Sequence, residues 1–226
     1  ILWYVIELED RTKRTGECSL SYAEREKIND VLAFFEKHEN EYGLLEDLES
    51  WIFIEWSIAG SDEYVCGVNF PSNMMYYQMF ECLYEYDSVK YNFKERANAL
   101  KKTIIEKSFN GTFFEDNAIR EDGKLQLKGH ISEACQYYAF DSGVADKESF
   151  PDLYYKLSNE LTPDRNPEKS YPNVGKPNII VGLLMRETML LKYGEIEKAL
   201  RETKEIYSVM AKSTKTLWEK VAPSAS

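Results

Sequence analysis

The chain has 226 residues, which is enough for one large domain or two small ones, and it can bury a core without a stabilising disulfide or metal. Its 28 basic and 39 acidic residues give a net charge of −11, which argues against a nucleic acid or an anionic membrane surface as a partner. With 43% hydrophobic and 30% charged residues the composition is globular, and no apolar run is long enough to span a bilayer.

The first part of the chain predicts a helix between two short strand-like pieces. The strand-like pieces are residues 2–8 and 51–56. Ser21 and Glu24 form a capping box, and apolar side chains at helical spacing follow it up to a stop at Gly43. Those apolar side chains are Ile28, Val31, Leu32 and Phe35.

Two more helices are predicted in the middle of the chain. Pro71 opens one of them, and the next covers about residues 94–109, where Asn110 and Gly111 mark a tight turn. The helix that follows Pro71 carries one apolar line, made of Met75, Met79, Leu83 and Tyr86. No alternating strand pattern links the two strand-like pieces at residues 2–8 and 51–56.

The second half of the chain predicts four helices and one long loop. The helices cover residues 131–140, 153–161, 179–190 and 196–210, and the proline-punctuated loop covers residues 162–177. Such a long loop in a compact domain is more often functional than accidental. The predicted fold class is all-α, with helices joined in antiparallel pairs. A solenoid is the weaker alternative, because the sequence shows no self-similarity at about 34 residues.

The cysteines and the missing motifs predict neither a metal nor a cofactor. Cys18, Cys66, Cys82 and Cys135 stand far apart and are interpreted as buried small hydrophobic residues. The sequence contains no glycine-rich nucleotide loop, no metalloprotease motif and no nucleophile elbow. Aromatic residues make up 14% of the chain, which suits either a carbohydrate site or an aromatic-rich helical core.

Four short segments together resemble a known family. They are residues 51–57 (WIFIEWS), 68–73 (VNFPSN), 129–138 (GHISEACQYY) and 216–219 (TLWE). Their order and spacing resemble the C-terminal part of the catalytic domain of α-L-rhamnosidases, which are glycoside hydrolases with an (α/α)6 barrel. The resemblance implies that residues 1–226 form a single domain, a C-terminal fragment of a larger catalytic domain. It also implies a partial (α/α)6 toroid of antiparallel helical hairpins with short strand-like segments.

The resemblance also implies a catalytic residue. In the family, the glutamate of the closing Thr-x-Trp-Glu motif is the general base of an inverting hydrolysis, and this position is Glu219. An inverting enzyme needs a second carboxyl group, roughly 6.5–9.5 Å away, as the general acid. In the family the acid lies in an upstream motif that residues 9–11 do not match. The fragment alone is therefore expected to be inactive.

The sugar-binding candidates follow from the same segments. Glu133, Gln136 and Tyr137 are spaced i, i+3, i+4, so they share one face of a helix, which is either a sugar-facing stripe or an exposed polar face. Glu55 and Trp56 stand where an Asp-Trp pair is common in the family, and Glu55 either faces the substrate or forms a strand-end salt bridge. The candidates are Trp51, Glu55, Trp56, Asn69, Glu133, Gln136, Tyr137 and Trp218.

The function implied by the resemblance is hydrolysis of a terminal sugar of a glycan, α-L-rhamnoside-like, with carbohydrate as the substrate. The alternative is a sugar-binding or scaffolding helical module without chemistry, since the general acid is missing. A phosphorylase or trehalase-like activity is a third interpretation, but phosphate needs a basic subsite, and no Lys/Arg/His cluster lies near the motifs. An incomplete helical ring also predicts self-association through exposed inner-helix faces. The sequence leaves the sugar and the cellular compartment open.

Overall fold

The structure is a computed structural model that describes residues 2–16, 19–49, 52–84 and 92–218. Within these residues the chain is mainly helical. Its α-helices are α1 (Leu2–Thr15), α2 (Tyr22–Glu36), α3 (Asp62–Val65), α4 (Phe70–Tyr84), α5 (Phe93–Ser108), α6 (Glu133–Ser142), α7 (Pro151–Tyr155), α8 (Leu184–Lys192) and α9 (Ile196–Ser213). A π-helical segment, Lys156–Glu160, extends α7, and a second one, Ile179–Leu183, leads into α8.

Helix α4 occupies the centre of the described structure. It is buried along nearly its whole length, as expected for a helix whose residues are apolar all round. It packs against α1, α5 and α6, while α6 packs against α8 and α8 against α9. These helices share one main core, and Met210 of α9 belongs to a second, smaller cluster with Ile179 and Leu183.

Two small sheets connect the helices. Their strands are β1 (Val68–Asn69), β2 (Asn117–Glu121), β3 (Lys124–Leu127), β4 (Ile131–Ser132) and β5 (Val174–Gly175). The first three strands pair antiparallel, and β4 pairs with β5 in parallel. Asp122 and Gly123 turn the β2–β3 hairpin, both with positive φ. Sequence reasoning missed this hairpin, although Asp-Gly is a strong hairpin signal.

The prediction of strands near the N-terminus was wrong. Residues 2–8 belong to helix α1, because Leu2, Val5 and Ile6 share one face and are buried where α1 packs on α4. Residues 52–55 form no strand either. In a short apolar run, β-branched residues favour a strand locally, but packing against a central helix favours the helical period.

Other local predictions are confirmed. Ser21 and Glu24 make the reciprocal capping box of α2, although α2 ends at Glu36, well before the predicted stop at Gly43. Helices α4 and α5 begin within one residue of the predicted positions. Among the cysteines, Cys82 and Cys135 are buried, but Cys66 is exposed after α3, and Cys18 lies outside the described residues.

Candidate functional site

A groove of about 1010 Å³ lies between α9 and the loop of residues 161–178. Its volume is that of a pocket for a small organic ligand. Arg201 and Glu205 line it on the α9 side, and residues 162–164 and 176–178 line it on the loop side. The π-helical segment Ile179–Leu183 contributes apolar surface through Ile179 and Leu183. The predicted long loop thus forms one wall of this groove.

Two of the predicted aromatic residues line the groove. The ring of Trp56 is 46% exposed and packs edge-on against Phe53, with 4.8 Å between the ring centroids. Trp218 packs against the buried Met210, and its indole Nε1 donates a hydrogen bond to the Thr214 hydroxyl at 2.7 Å. The structure therefore brings together two indoles that lie far apart in the sequence.

The loop wall is held from beneath by a buried arginine. Arg165 donates from Nη1 to the Ser170 carbonyl at 2.9 Å and from Nη2 to the Val174 carbonyl at 2.7 Å. The same guanidinium forms an ion pair with Glu133 at 2.7 Å, and both side chains are 2% exposed. Although the loop is long and rich in proline, its path is fixed by these bonds and by the β4–β5 pairing.

The polar stripe of α6 faces protein, contrary to the interpretation that it faces a sugar. Glu133 accepts a hydrogen bond from the Tyr137 hydroxyl at 2.9 Å, and both residues are buried. The Gln136 amide accepts from the Phe114 N–H at 2.9 Å and donates to the Phe114 carbonyl at 2.8 Å. The strands and loops packed over α6 cover this stripe, so the structure does not bring it to the groove.

A second buried ion pair lies behind the α9 wall. Arg186 Nε donates to Glu202 Oε2 at 2.6 Å, with side chains 1% and 8% exposed. Glu202 reaches the groove lining, whereas Arg186 lies deeper. Sequence reasoning missed this pair, although Arg186 stands on the apolar line between Leu183 and Leu190. An arginine on such a line indicates a buried ion pair, because an unpaired buried charge costs too much.

Glu55 lies one layer behind the groove rather than in it. It is 2% exposed, and its Oε1 accepts a hydrogen bond from the Asn178 N–H at the start of the second π-helical segment. Its Oε2 has no hydrogen-bond partner among the described residues. Burial raises the pKa of Glu55, and the nearby Ser57 and Asn178 N–H oppose that shift. Trp56, Ser57 and Asn178 line the groove in its place.

Of the remaining predicted residues, the structure describes Asn69, which does not line the groove. Asn69 is buried at the start of α4, where its Oδ1 accepts from the Ser72 N–H at 2.9 Å and its Nδ2 donates to the Tyr64 carbonyl at 3.1 Å. It therefore fixes a helix start and has no surface for a sugar. Trp51 and Glu219 lie outside the described residues.

The groove carries both signs of charge beside its indoles. Arg201 makes no hydrogen bond or ion pair to the part of the chain that the structure describes, and Glu205 is exposed opposite the loop. Lys176 is half-buried, and burial lowers its pKa. A hydrogen bond from Thr162 lowers the pKa of Asp164. Such an arrangement offers donors, acceptors and apolar faces to a ligand with many hydroxyl groups.

The groove also contains more basic groups than the sequence motifs indicated. Lys176, Lys198 and Arg201 all line it, because the loop and α9 approach each other in the fold. Lys198 is engaged with Asn159, to which its Nζ donates at 2.8 Å. These three residues lie outside the four motifs, so the motifs alone do not indicate a basic cluster.

Neither a metal cluster nor a membrane-spanning helix is found in the described ranges. Their His, Cys, Asp and Glu side chains form no group of three or more that could hold a metal ion. None of their helices is long and apolar enough to cross a membrane.

The helical framework is similar to that of two solved structures of rhamnosidases. The chain is similar to a family GH78 rhamnosidase of Bacillus sp. GL1, with a TM-score of 0.76 and 19% identity over 97% of this chain. It is also similar to a rhamnosidase from Klebsiella oxytoca with rhamnose bound, with a TM-score of 0.62 and 14% identity over 98% of this chain. At this identity the likeness shows a shared fold, and it agrees with the resemblance seen in the sequence.

The chain spans 22% of the length of the Bacillus protein and 40% of that of the Klebsiella protein. No protein-family model matches the sequence. No curated protein matches it either.

Proposed function

We propose that this chain is part of an inverting glycoside hydrolase that removes a terminal, α-L-rhamnoside-like sugar from a glycan. The observation that carries the proposal is the convergence of Trp56 and Trp218 in one groove, on a fold similar to that of two rhamnosidases. Both indoles belong to the motifs that resemble the family.

The groove chemistry suits a sugar. An indole face stacks on the apolar C–H face of a sugar ring, and the two indoles supply such faces. Arg201 can donate hydrogen bonds to ring hydroxyls, and Glu205 and Asp164 can accept them. The proposal includes the helical arrangement: the described hairpins are one part of an (α/α)6 toroid.

The proposed general base is Glu219, the sequence neighbour of Trp218. The proposal is supported by Trp218, which lines the groove. A carboxylate there would activate a water on one face of the sugar, and the general acid would come from the rest of a larger catalytic domain. This chain by itself would then bind sugar without cleaving it.

Sugar binding by the chain tests the proposal directly. We expect calorimetric titration with L-rhamnose to give a saturable signal, and Trp218→Ala to weaken binding on the order of tenfold by removing one stacked indole. The matched control is Trp3→Ala, since Trp3 is 41% exposed on α1 and does not line the groove. Equal affinities for the two variants, or no binding by the unchanged chain, would contradict the proposal.

The second candidate is a sugar-binding module without chemistry. It is favoured by the burial of Glu55 and Glu133, because neither of these two predicted carboxylates lines the groove. A longer chain that includes upstream sequence separates the two candidates. If it hydrolyses an aryl rhamnoside and Glu219→Gln lowers kcat on the order of 10² to 10⁴, a general-base effect, the enzyme is supported. Exposed Glu197→Gln is the control, and binding without hydrolysis supports the module.

A further inference from the structure

A continuous series of buried polar side chains runs beneath the groove. All of its members are buried, and they comprise two carboxylates, two guanidiniums and one phenol. We call this series the buried relay; its members are Arg165, Glu133, Tyr137, Arg186 and Glu202. Its two negative and two positive charges cancel, so the series needs no ligand to neutralise it.

One end of the relay holds the α9 wall. Arg186 grips the Glu202 carboxylate in a bidentate manner, with Nε to Oε2 at 2.6 Å and Nη2 to Oε1 at 3.0 Å. The same guanidinium donates to the carbonyls of Leu157, Ser158 and Leu161, the last two at 3.0 and 3.2 Å. These carbonyls lie at the end of the extended α7, where helical carbonyls lack partners. Arg186 thus ties α9 to the end of α7.

The other end of the relay holds the loop wall. Arg165 pairs with Glu133 of α6 and donates to the carbonyls of Ser170 and Val174. The three residues that directly precede Arg165, residues 162–164, line the groove. Arg165 therefore connects this wall to α6, in addition to the β4–β5 pairing.

A single hydroxyl group joins the two ends. The Tyr137 hydroxyl donates to Glu133 Oε2 at 2.9 Å and accepts from Arg186 Nη1 at 3.4 Å. Glu133 and Tyr137 share one face of α6, so both walls of the groove are positioned against the same helix. The hydrogen bonds of Arg186 therefore join three segments, which are α6, the end of the extended α7 and α9.

We propose that Arg186 is the positioning residue of the groove, which sets the separation of its two walls through Glu202 and Tyr137. Buried ion pairs add little net stability compared with well-packed apolar side chains, and their best-supported role is to select one arrangement. Glu202 is the one member of the relay that lines the groove, so the α9 wall is held by contacts on its buried side. The proposal concerns the shape of the groove and holds whatever ligand enters it.

The separation of the walls can be measured with spin labels. Asp164→Cys and Glu205→Cys place one label on each wall, at exposed groove positions. Cys18 and Cys66 are replaced by Ser in the same protein, whereas Cys82 and Cys135 are buried. Double electron–electron resonance then gives the distribution of distances between the labels, without any sugar present.

Arg186→Lys tests the role of the guanidinium. An ammonium group cannot bond Glu202 and three carbonyls together, so we expect a distribution broader than, and shifted from, that of the unchanged chain. The matched control is Arg201→Lys, the same change at an exposed groove position, which should leave the distribution unchanged. If Arg186→Lys is folded by circular dichroism and gives the distribution of the control, the proposal is overturned.

A milder variant covers the case in which Arg186→Lys fails to fold. Tyr137→Phe removes only the hydroxyl that joins the two ends of the relay and keeps the buried ring. We expect it to broaden the distribution while each ion pair stays formed. An unchanged distribution in folded Tyr137→Phe would also overturn the proposal. Because no sugar is used, these results do not depend on whether the chain binds rhamnose.

Discussion

Asp116 is a carboxyl group without exposed surface, placed just before β2. Its two oxygens accept hydrogen bonds from the Ser132 N–H and hydroxyl, each at 2.6 Å. Burial raises its pKa from 3.8 to about 7, against the opposing effect of the Ser132 bonds. The folded state therefore binds a proton at this site over a pH range in which the unfolded chain has released it.

The sign of this effect predicts how stability varies with pH. The stabilisation that the protonated Asp116 adds to the free energy of unfolding is fully present below about pH 4. It is lost as the pH rises through about 7, at up to about 1.4 kcal/mol per pH unit. Asp116→Asn, which stays neutral, should flatten the unfolding free energy across this range. Urea titrations at several pH values measure it, with exposed Asp30→Asn as the control. Identical pH profiles for the two variants would refute the assignment.

At the scale of elements, the π-helical segment Ile179–Leu183 shapes the end of the groove. It begins where Asn178 caps the segment through its own side chain, and both Ile179 and Leu183 line the groove. Gly182 lies inside the segment, where an added Cβ would collide with the Pro177 side chain and lie 3.2 Å from Glu55 Oε1. Single π-turns of this kind often occur at functional sites.

Gly182→Ala should therefore destabilise the protein by about 1–3 kcal/mol, the cost of overpacking a closely packed position. The unfolding free energy from urea titration measures this loss. Thr188→Ala, at an exposed position of α8, is the control and should change stability by less than about 0.5 kcal/mol. A Gly182→Ala variant as stable as the control would contradict the prediction, because it would mean that the segment shifts to accommodate the added Cβ.

At the scale of the whole molecule, α8, α9 and the segment before α8 leave apolar side chains in solvent. Each of these side chains is about half exposed or more: Ile180 (49%), Leu184 (57%), Leu191 (51%), Ile196 (55%) and Leu200 (63%). Soluble monomers rarely expose large contiguous apolar patches, and such patches commonly mark interfaces. The net charge of −11 opposes association, so the outcome depends on the apolar area.

Self-association through these helices stays a prediction with a direct test. We expect sedimentation velocity to show a concentration-dependent increase in mass, which Leu184→Lys combined with Leu200→Lys should abolish by placing charge in the contact. Tyr22→Lys is the control, since Tyr22 is 79% exposed on α2. A chain that sediments as a monomer at all concentrations, or a control that behaves as the double variant does, would contradict the prediction.

The helices could largely be predicted from the sequence, and the exceptions have local causes. The capping box at Ser21 and the apolar line of α4 were sufficient to predict these two helices, because a helix is set mainly by side chains three or four residues apart. The β-branched residues within 2–8 led to the wrong prediction of a strand, because strand propensity depends on a neighbouring strand that the fold does not provide. The β2–β3 hairpin carried its own turn signal at Asp122.

By itself, the sequence determined the helix-rich fold and the proximity of Glu133, Gln136 and Tyr137 on one face of α6. What that face contacts was decided only by the tertiary structure, which placed Arg165 and Phe114 against it instead of a ligand. Helical spacing fixes which side chains point the same way. It carries no information about which distant segment covers them, because that depends on how whole elements pack and on which buried charges must be paired.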